Sequence, residues 1–170
     1  MSNEAHTVVL AVGDDISTDV IYPGRFMATV LPSETPQFAF ADHTEFNEKL
    51  KSKAIPPGSV IAAGKNFGCG SSREQACSTL RGHDLIVVAQ GFARIFLQNA
   101  VNLGLKTIVC PSLNASEKDS LEITGTHVVN TATGKSYPIV PLPKARQDIT
   151  RAGGLIPYTR KRLLERAGKI

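Results

Sequence analysis

Tryptophan is absent from this chain, and aromatic residues make up 6% of it. No RNP-like aromatic motif is present, so the sequence offers no platform for stacking unpaired bases. Cysteine is scarce as well: Cys69, Cys77 and Cys110 are the full set. An odd number with no C-x-x-C pair argues against a disulfide framework. The cysteines also lack metal-site spacing from the four histidines, His6, His43, His83 and His127. No apolar run approaches the length of a membrane span. The first residues, Met1 to His6, lack the basic-then-apolar form of a signal peptide, which predicts a cytoplasmic protein. Internal repeats and low-complexity tracts are missing.

What remains is the composition of a globular protein: 170 residues, 42% of them hydrophobic and 20% charged. That length predicts one domain over residues 1–170, large enough for a proper core. The formal net charge is +4, and much of the excess sits in Arg151, Arg160, Lys161, Arg162, Arg166 and Lys169. Nucleic-acid surfaces use such residues. Without an RNP motif or zinc finger beside them, a solvated basic helix, or one facing an acidic partner, is the better reading.

The stretch Gly64-Lys65-Asn66-Phe67-Gly68-Cys69-Gly70-Ser71-Ser72-Arg73-Glu74-Gln75-Ala76 is the most informative. Ahead of it, Ser59 to Ala63 is an apolar run short enough for a buried strand. Behind it, Ser72 to Leu80 reads as a helix. Glycines between the two let the backbone turn sharply and approach a ligand. A helix start presents unpaired N–H groups and partial positive charge, which suits an anion. Arg73 adds a planar fork matched to a carboxylate. The pattern predicts a pocket for a small carboxylic acid with a serine hydroxyl beside it. The serines also fit a capping box, Ser71 to Glu74 and, one residue on, Ser72 to Gln75. One serine can cap the helix while the other faces the ligand. Cys69, in the same loop, is a second nucleophile candidate, although no histidine stands in a partner motif.

The other elements follow in order. His6 to Val12 is a β-rich run and a first strand. Gly13 to Asp19 turns and carries Asp14, Asp15 and Asp19, a cation-site candidate without the EF-hand pattern. Val20 and Ile21 draw Asp19 towards the core, where Arg73 is a suitable partner. Arg25 to Leu31 reads as a short strand or a loop. Asp42 to Lys51 is a short amphipathic helix with Phe46 and Leu50 on one face. Asp84 to Ala89, Gly91 to Leu103 closed by Gly104, and Lys106 to Cys110 form a parallel strand–helix–strand unit. Arg94 and Asn99 are polar on that helix, facing either the site, a partner or solvent. Ser120 to Thr124 and Thr126 to Asn130 alternate as half-exposed strands, and a hairpin turn leads into Ser136 to Val140. Ala152-Gly153-Gly154-Leu155 precedes a basic terminal helix with Leu163 and Leu164. The fold class is α/β. Two nucleotide-binding echoes fail: Gly134-Lys135-Ser136 has Val129 where a phosphate loop needs glycine, and Gly68-x-Gly70-x-x-Arg73 misses the dinucleotide fingerprint.

Several of these blocks stand in an order that carries a resemblance: Gly13 to Ile21, Asn66 to Glu74, Gly91 to Phe96, Asn99 to Gly104, and Ala152 to Leu155. With them the chain resembles the small subunits of the aconitase superfamily, most closely the isopropylmalate dehydratase (isomerase) small-subunit family. The resemblance implies a swivelling β/β/α domain that docks onto a separate large subunit. It places a [4Fe–4S] cluster on that large subunit and no metal or cofactor on this chain, in keeping with the missing cluster-type cysteine spacing. The implied activity is a hydro-lyase that isomerises 2- and 3-isopropylmalate by dehydration and rehydration, in leucine biosynthesis. The cluster is the Lewis acid and the small subunit supplies the base. By residue match Ser71 is the base, as an alkoxide stabilised by helix-start N–H groups and Arg73. Ser72 and Arg73 bind substrate carboxylate, and Asp19 orients them.

In this family the segment that reads the substrate's variable group corresponds to Phe26-Met27-Ala28-Thr29. Relatives acting on tricarboxylates carry an arginine near the position of Ala28. Ala28 cannot pair with a carboxylate, and Phe26 with Met27 favours an apolar group, so an isopropyl- or methyl-bearing malate is expected. Arg25 stands next to them. The segment also departs from the commonest isopropylmalate form, which keeps dimethylmalate, methylmalate and homoaconitase or aconitase-type relatives as alternatives. Readings of other classes are a carboxylate-binding module, a basic nucleic-acid-binding module and a hydrolase using Cys69.

Overall fold

The computed structural model describes residues 5–169; Met1 to Glu4, on which part of the N-terminal reading falls, lie outside them. The sheet is organised around β1 (Ala5–Val12), whose run of valine, leucine and alanine suits a pleated surface. Its first residues, Ala5 to Thr7, pair antiparallel with β5 (Ser120–Ile123). From Val8 onward it pairs parallel with β2 (Val60–Ala63), and an irregularity between Val8 and Leu10 marks the change. On one side β2, β3 (Ile86–Ala89) and β4 (Lys106–Val109) continue in parallel. On the other, β5, β6 (His127–Asn130) and β7 (Lys135–Pro138) continue antiparallel. The order of the seven-stranded sheet is β4-β3-β2-β1-β5-β6-β7. Just past β7, Val140 donates its N–H to the Val109 carbonyl of β4 at 2.8 Å, so the two ends of the sheet meet.

The core explains this curl. β2 and β3 are buried along their whole length, and alternation divides their side chains between two faces. Val60, Ala62, Ile86 and Val88 pack against Leu121, Val128 and Tyr137 of the antiparallel strands. Ile61, Ala63, Val87 and Ala89 face helices instead, with Phe46, Leu50, Ala76, Leu80, Phe96 and Ala100. The layers are therefore sheet, sheet and helices, the β/β/α arrangement that the family resemblance implied.

The helices are α1 (Thr18–Ile21), α2 (Thr44–Lys51), α3 (Gln75–Gly82), α4 (Arg94–Leu103), α5 (Lys144–Arg151) and α6 (Leu155–Arg166). Gly104 ends α4 at φ 72°, and a Cβ there would lie 2.5 Å from the Gly153 carbonyl carbon. That contact locks the Gly153-Gly154 turn, and with it the start of α6, onto the end of α4.

One expectation changes, one open reading resolves to a loop, and one helix is new. The helix read from Ser72 begins at Gln75, behind Glu74, and has no side-chain cap. Ser71 and Ser72 are loop residues, because Thr18 takes the Ser71 hydroxyl and N–H. The Arg25 to Leu31 segment is a 3₁₀ turn over Gly24–Phe26 followed by loop. There the Tyr22 hydroxyl sits 3.1 Å from the Phe26 carbonyl and 3.2 Å from that of Thr29. Finally, α5 was not read from the sequence: Ala145 and Ile149 are its only apolar residues, too few to stand out as a stripe.

Phe96 is 2% exposed. Its ring stands edge-on to Phe67 at 5.3 Å and is stacked on Phe92 at 6.2 Å. Phe96→Ala should therefore lower unfolding stability by about 3–5 kcal/mol, read from the urea midpoint. A loss below about 1 kcal/mol would show that the loop above this ring does not rest on it.

Candidate active site

The C-terminal ends of parallel strands are where a ligand crevice opens in an α/β sheet. Here the loops after β1 and β2 run side by side across that edge. Asp15 N–H donates to Lys65 at 2.9 Å, Gly68 N–H to Ile16 at 2.7 Å, and Thr18 N–H to Cys69 at 2.8 Å. Side chains add ties. Asp14 Oδ1 accepts the Lys65 N–H at 2.7 Å, and Asp15 Oδ1 accepts Asn66 Nδ2 at 2.7 Å. Two of the acids considered for a cation thus hold the loops together. Among the described residues no three His, Cys, Asp or Glu side chains converge as metal ligands. Gly68 makes the close approach attainable: its φ is +79°, and a Cβ would fall 2.1 Å from Phe96 Cγ.

Thr18 is the joint between the loops. It is 1% exposed. Its Oγ1 accepts the Ser71 N–H at 3.2 Å and lies 3.1 Å from Ser71 Oγ. A threonine hydroxyl has one hydrogen and two acceptor sites. With the Ser71 N–H already donating to it, its own hydrogen has two acceptors in reach, the Ser71 Oγ at 3.1 Å and the Ser71 carbonyl at 3.5 Å. Ser71 itself is exposed, so its hydroxyl is held on one side and open on the other.

Arg73 crosses from the second loop to the first. Its side chain is 16% exposed, and Nη1 forms an ion pair with Asp19 and reaches the Tyr22 carbonyl at 3.4 Å. The Arg73 hydrogen bond holds the Asp19 carboxyl below its ordinary range, slight burial opposes this, and the Arg73 charge adds to the lowering. Nε of Arg73 is buried and has no hydrogen-bond partner among the described residues. That donor is too covered for a ligand to reach, and Nη1 is committed to Asp19 and Tyr22, so a further anion would meet the guanidinium at Nη2. Gly24 leaves the space: a Cβ there would lie 3.2 Å from Arg73 Nη2 and 3.3 Å from Asp19 Oδ1. Asn99 of α4, ambiguous in the sequence, donates to the Ser72 carbonyl at 3.2 Å and fixes the loop beside it.

Asp19, Ser71, Ser72 and Arg73 are thus brought together. The Phe26 to Thr29 segment follows α1 after Tyr22 to Arg25 and begins at the end of the 3₁₀ turn. Phe26 stacks on Phe38 at 4.1 Å and meets Tyr22 edge-on at 6.5 Å, so its ring supports the loop. Met27 and Ala28 are exposed, and Thr29 is half-buried. Arg25 is paired with Asp42, and its guanidinium lies 4.7 Å from the Phe26 ring centre. Sequence reasoning missed Thr18 and Tyr22. A hydroxyl one residue before Asp19 was a usable signal for Thr18; for Tyr22 there was none.

The thiols offer no competing site. Cys69 donates to the Asp15 carbonyl at 3.4 Å. The histidines bond elsewhere: His6 to Gly58, His43 at the start of α2, His83 to Pro36 and His127 to Thr126. Burial pushes the Cys77 and Cys110 thiols up, away from reactivity.

Residues 16–113, which include every residue of this constellation, match the sequence profile of the aconitase C-terminal domain. The chain belongs to that family. Among its curated relatives, the isopropylmalate/citramalate isomerase small subunit of Methanocaldococcus jannaschii is 40% identical over 160 residues, 90% of this chain and 92% of its own. The 3-isopropylmalate dehydratase small subunit of Thermodesulfovibrio yellowstonii is 38% identical over 89% of this chain and 90% of its own. A solved structure, 3-isopropylmalate dehydratase from Methanocaldococcus jannaschii, aligns with a TM-score of 0.86 at 35% identity, covering 98% of this chain and 100% of that one. The aconitase C-terminal domain fold thus accounts for the curled sheet and for the loops at its parallel edge.

The lowered Asp19 value has a direct consequence. A carboxyl depressed in the folded state adds stability above its unfolded value, and that stability is lost as pH falls through the folded value. Asp19→Asn should therefore be less stable than the parent chain near neutral pH. The two stability curves should converge in acid, once the pH has fallen below the ordinary aspartate range. Denaturation across a pH series checks this, and curves that stay parallel throughout would remove the pair from the pH-linked stability.

Proposed function

We propose that this chain is the small subunit of a heteromeric hydro-lyase of the cytoplasm that interconverts 2- and 3-isopropylmalate, in leucine biosynthesis. The observation that carries the reading is Arg73, fixed by Asp19 through Nη1, two residues from an open serine hydroxyl. The names of the relatives support the reaction.

Dehydration of such an acid removes a proton alpha to a carboxylate while a hydroxyl leaves the neighbouring carbon. This chain anchors the carboxylate and accepts the proton. Arg73 grips the carboxylate with its planar fork, and the exposed Ser72 hydroxyl adds a donor. Asp19 keeps the guanidinium from swinging. Ser71 Oγ takes the proton. A serine is a poor base unless its anion is favoured; the Thr18 hydroxyl, 3.1 Å from Oγ and able to donate to it, and the Arg73 charge in the same loop favour it. Thr18 thus replaces the helix-start N–H groups of the sequence reading, since α3 begins only at Gln75. In the reverse hydration the proton returns from Ser71 to carbon. The [4Fe–4S] cluster that the family resemblance assigns to the large subunit supplies Lewis acidity toward the departing hydroxyl.

Met27 and Ala28 form the outward surface of the segment beside the site, with the Phe26 ring beneath. An alkyl group suits them. A third carboxylate would need a cation there, and Arg25 is engaged with Asp42. The relative whose name includes citramalate supports a second reading, in which a methyl-bearing malate is also accepted.

The test is anaerobic reconstitution with the large subunit, following unsaturated-acid formation from 3-isopropylmalate, 2,3-dimethylmalate, citramalate, homocitrate and citrate. Preference for 3-isopropylmalate is expected, and preference for a tricarboxylate would overturn the substrate assignment. Ser71→Ala should lower kcat by about 10³-fold or more with complex formation intact. Arg73→Lys should lower kcat/KM by about 10²-fold, because one point charge replaces a fork. Full activity in either variant would remove these roles. Ala28→Arg should shift preference towards tricarboxylates, and an unchanged substrate profile would detach specificity from this segment.

A further inference from the structure

The side chains of α6 divide into two sides, and the rest of the chain leaves both largely exposed. One side is polar: Tyr158, Lys161, Arg162 and Glu165 border a cleft with Asp148 and Arg151 of α5. On that side Lys161 pairs with Glu165 at 3.9 Å, and the Arg162 guanidinium lies 5.7 Å from the Tyr158 ring centre. The other side is apolar: Leu155, Ile156, Leu163 and Leu164 run along it together with Thr159 and Arg160. Ile156 is 81% exposed, Leu163 59% and Leu155 41%. No residue of this helix is buried. Helices of this length owe their stability mainly to packing an apolar face. Single exposed leucines need no explanation, but a continuous stripe of them marks a contact surface.

Charge decides what fits the stripe. Arg160 and Arg166 flank it, and Lys169 follows the helix. The one acid of α6, Glu165, lies on the other side, against Lys161. A second copy of this chain laid on the stripe about a two-fold axis would bring arginines against arginines. A groove with apolar walls and a rim of Asp or Glu would match both the stripe and its flanks. α6 also stands apart from the serine loop. It starts beside Gly104, at one end of α4, while Phe92 at the other end underlies the loop, about 15 Å away along the helix.

We propose that α6 lays its Leu155, Ile156 and Leu163 stripe into an acid-rimmed apolar groove of the large subunit. It anchors this chain there at a distance from the reacting groups. The inference rests on the heteromeric reading above. Its test is the Kd of the cognate large subunit for the parent chain and for the Ile156→Glu/Leu163→Glu variant. Both side chains are exposed, so the variant alone should keep the circular dichroism and unfolding midpoint of the parent. Its Kd should rise by at least about 100-fold. The Arg160→Glu/Arg166→Glu variant should associate about tenfold more slowly, and its association should be less salt-sensitive. An unchanged Kd for the first variant overturns the proposal. So does a parent chain that self-associates and is made monomeric by that variant while large-subunit affinity persists; the groove then belongs to a second copy. A parent chain that does not bind the large subunit at all removes the heteromeric reading, and this inference with it.

Discussion

The ties between the loops that follow β1 and β2 are what the site depends on. Neither loop is shaped by its own sequence alone. Asp14 and Asp15 spend their carboxylates on Lys65 and Asn66, and backbone N–H groups alternate between the loops from Asp15 to Thr18. The closeness this demands is possible because Gly68 presents a bare backbone to Phe96. The parallel pairing of β1 with β2 brings the two loops to the same edge, and the stacked phenylalanines beneath keep them there. The position of the Ser71 hydroxyl is therefore set by strands, an aromatic floor and a buried threonine acting together.

The electrostatic arrangement follows from the same geometry. Arg73 is mostly covered and would be costly to leave without an anion. Asp19 answers part of that demand from a more exposed position, and the Tyr22 carbonyl answers another part. What remains unanswered is directional, because a guanidinium offers its donors in one plane. A surface patch of lysines would attract carboxylates without orienting them. Here a single arginine is held in one orientation by Asp19 and the Tyr22 carbonyl, in the same loop as a hydroxyl that contacts Thr18.

Much of this was legible in the residues. The parallel unit from Ile86 to Val109 was readable because strands buried on both faces are continuously apolar and because Gly104 announces the end of α4. The pairing of Asp19 with Arg73 was readable from an acid drawn inward by Val20 and Ile21. The start of α3 was not. Its serines satisfy a local capping pattern, but Thr18, 53 residues before Ser71, competes for the same hydroxyl and wins. The loop after α1 was undecided in the sequence for a similar reason: one buried tyrosine hydroxyl gathers its carbonyls. Helix α5 has no stripe to read, and the curl of the sheet is a meeting of strands too far apart in the chain for any local pattern.

That curl brings an edge problem with it. An open sheet ends in two strands whose unpaired backbone groups are a template for another chain, and a fully closed barrel has none. This sheet is between the two. β4 and the segment after β7 meet through Val109 and Val140, and beyond that bridge the chain runs through Pro141 and Pro143 into α5. A proline offers no N–H for pairing, so the stretch that leaves the seam is a poor template for a further strand. The same short segment that closes the sheet thus also protects it against aggregation.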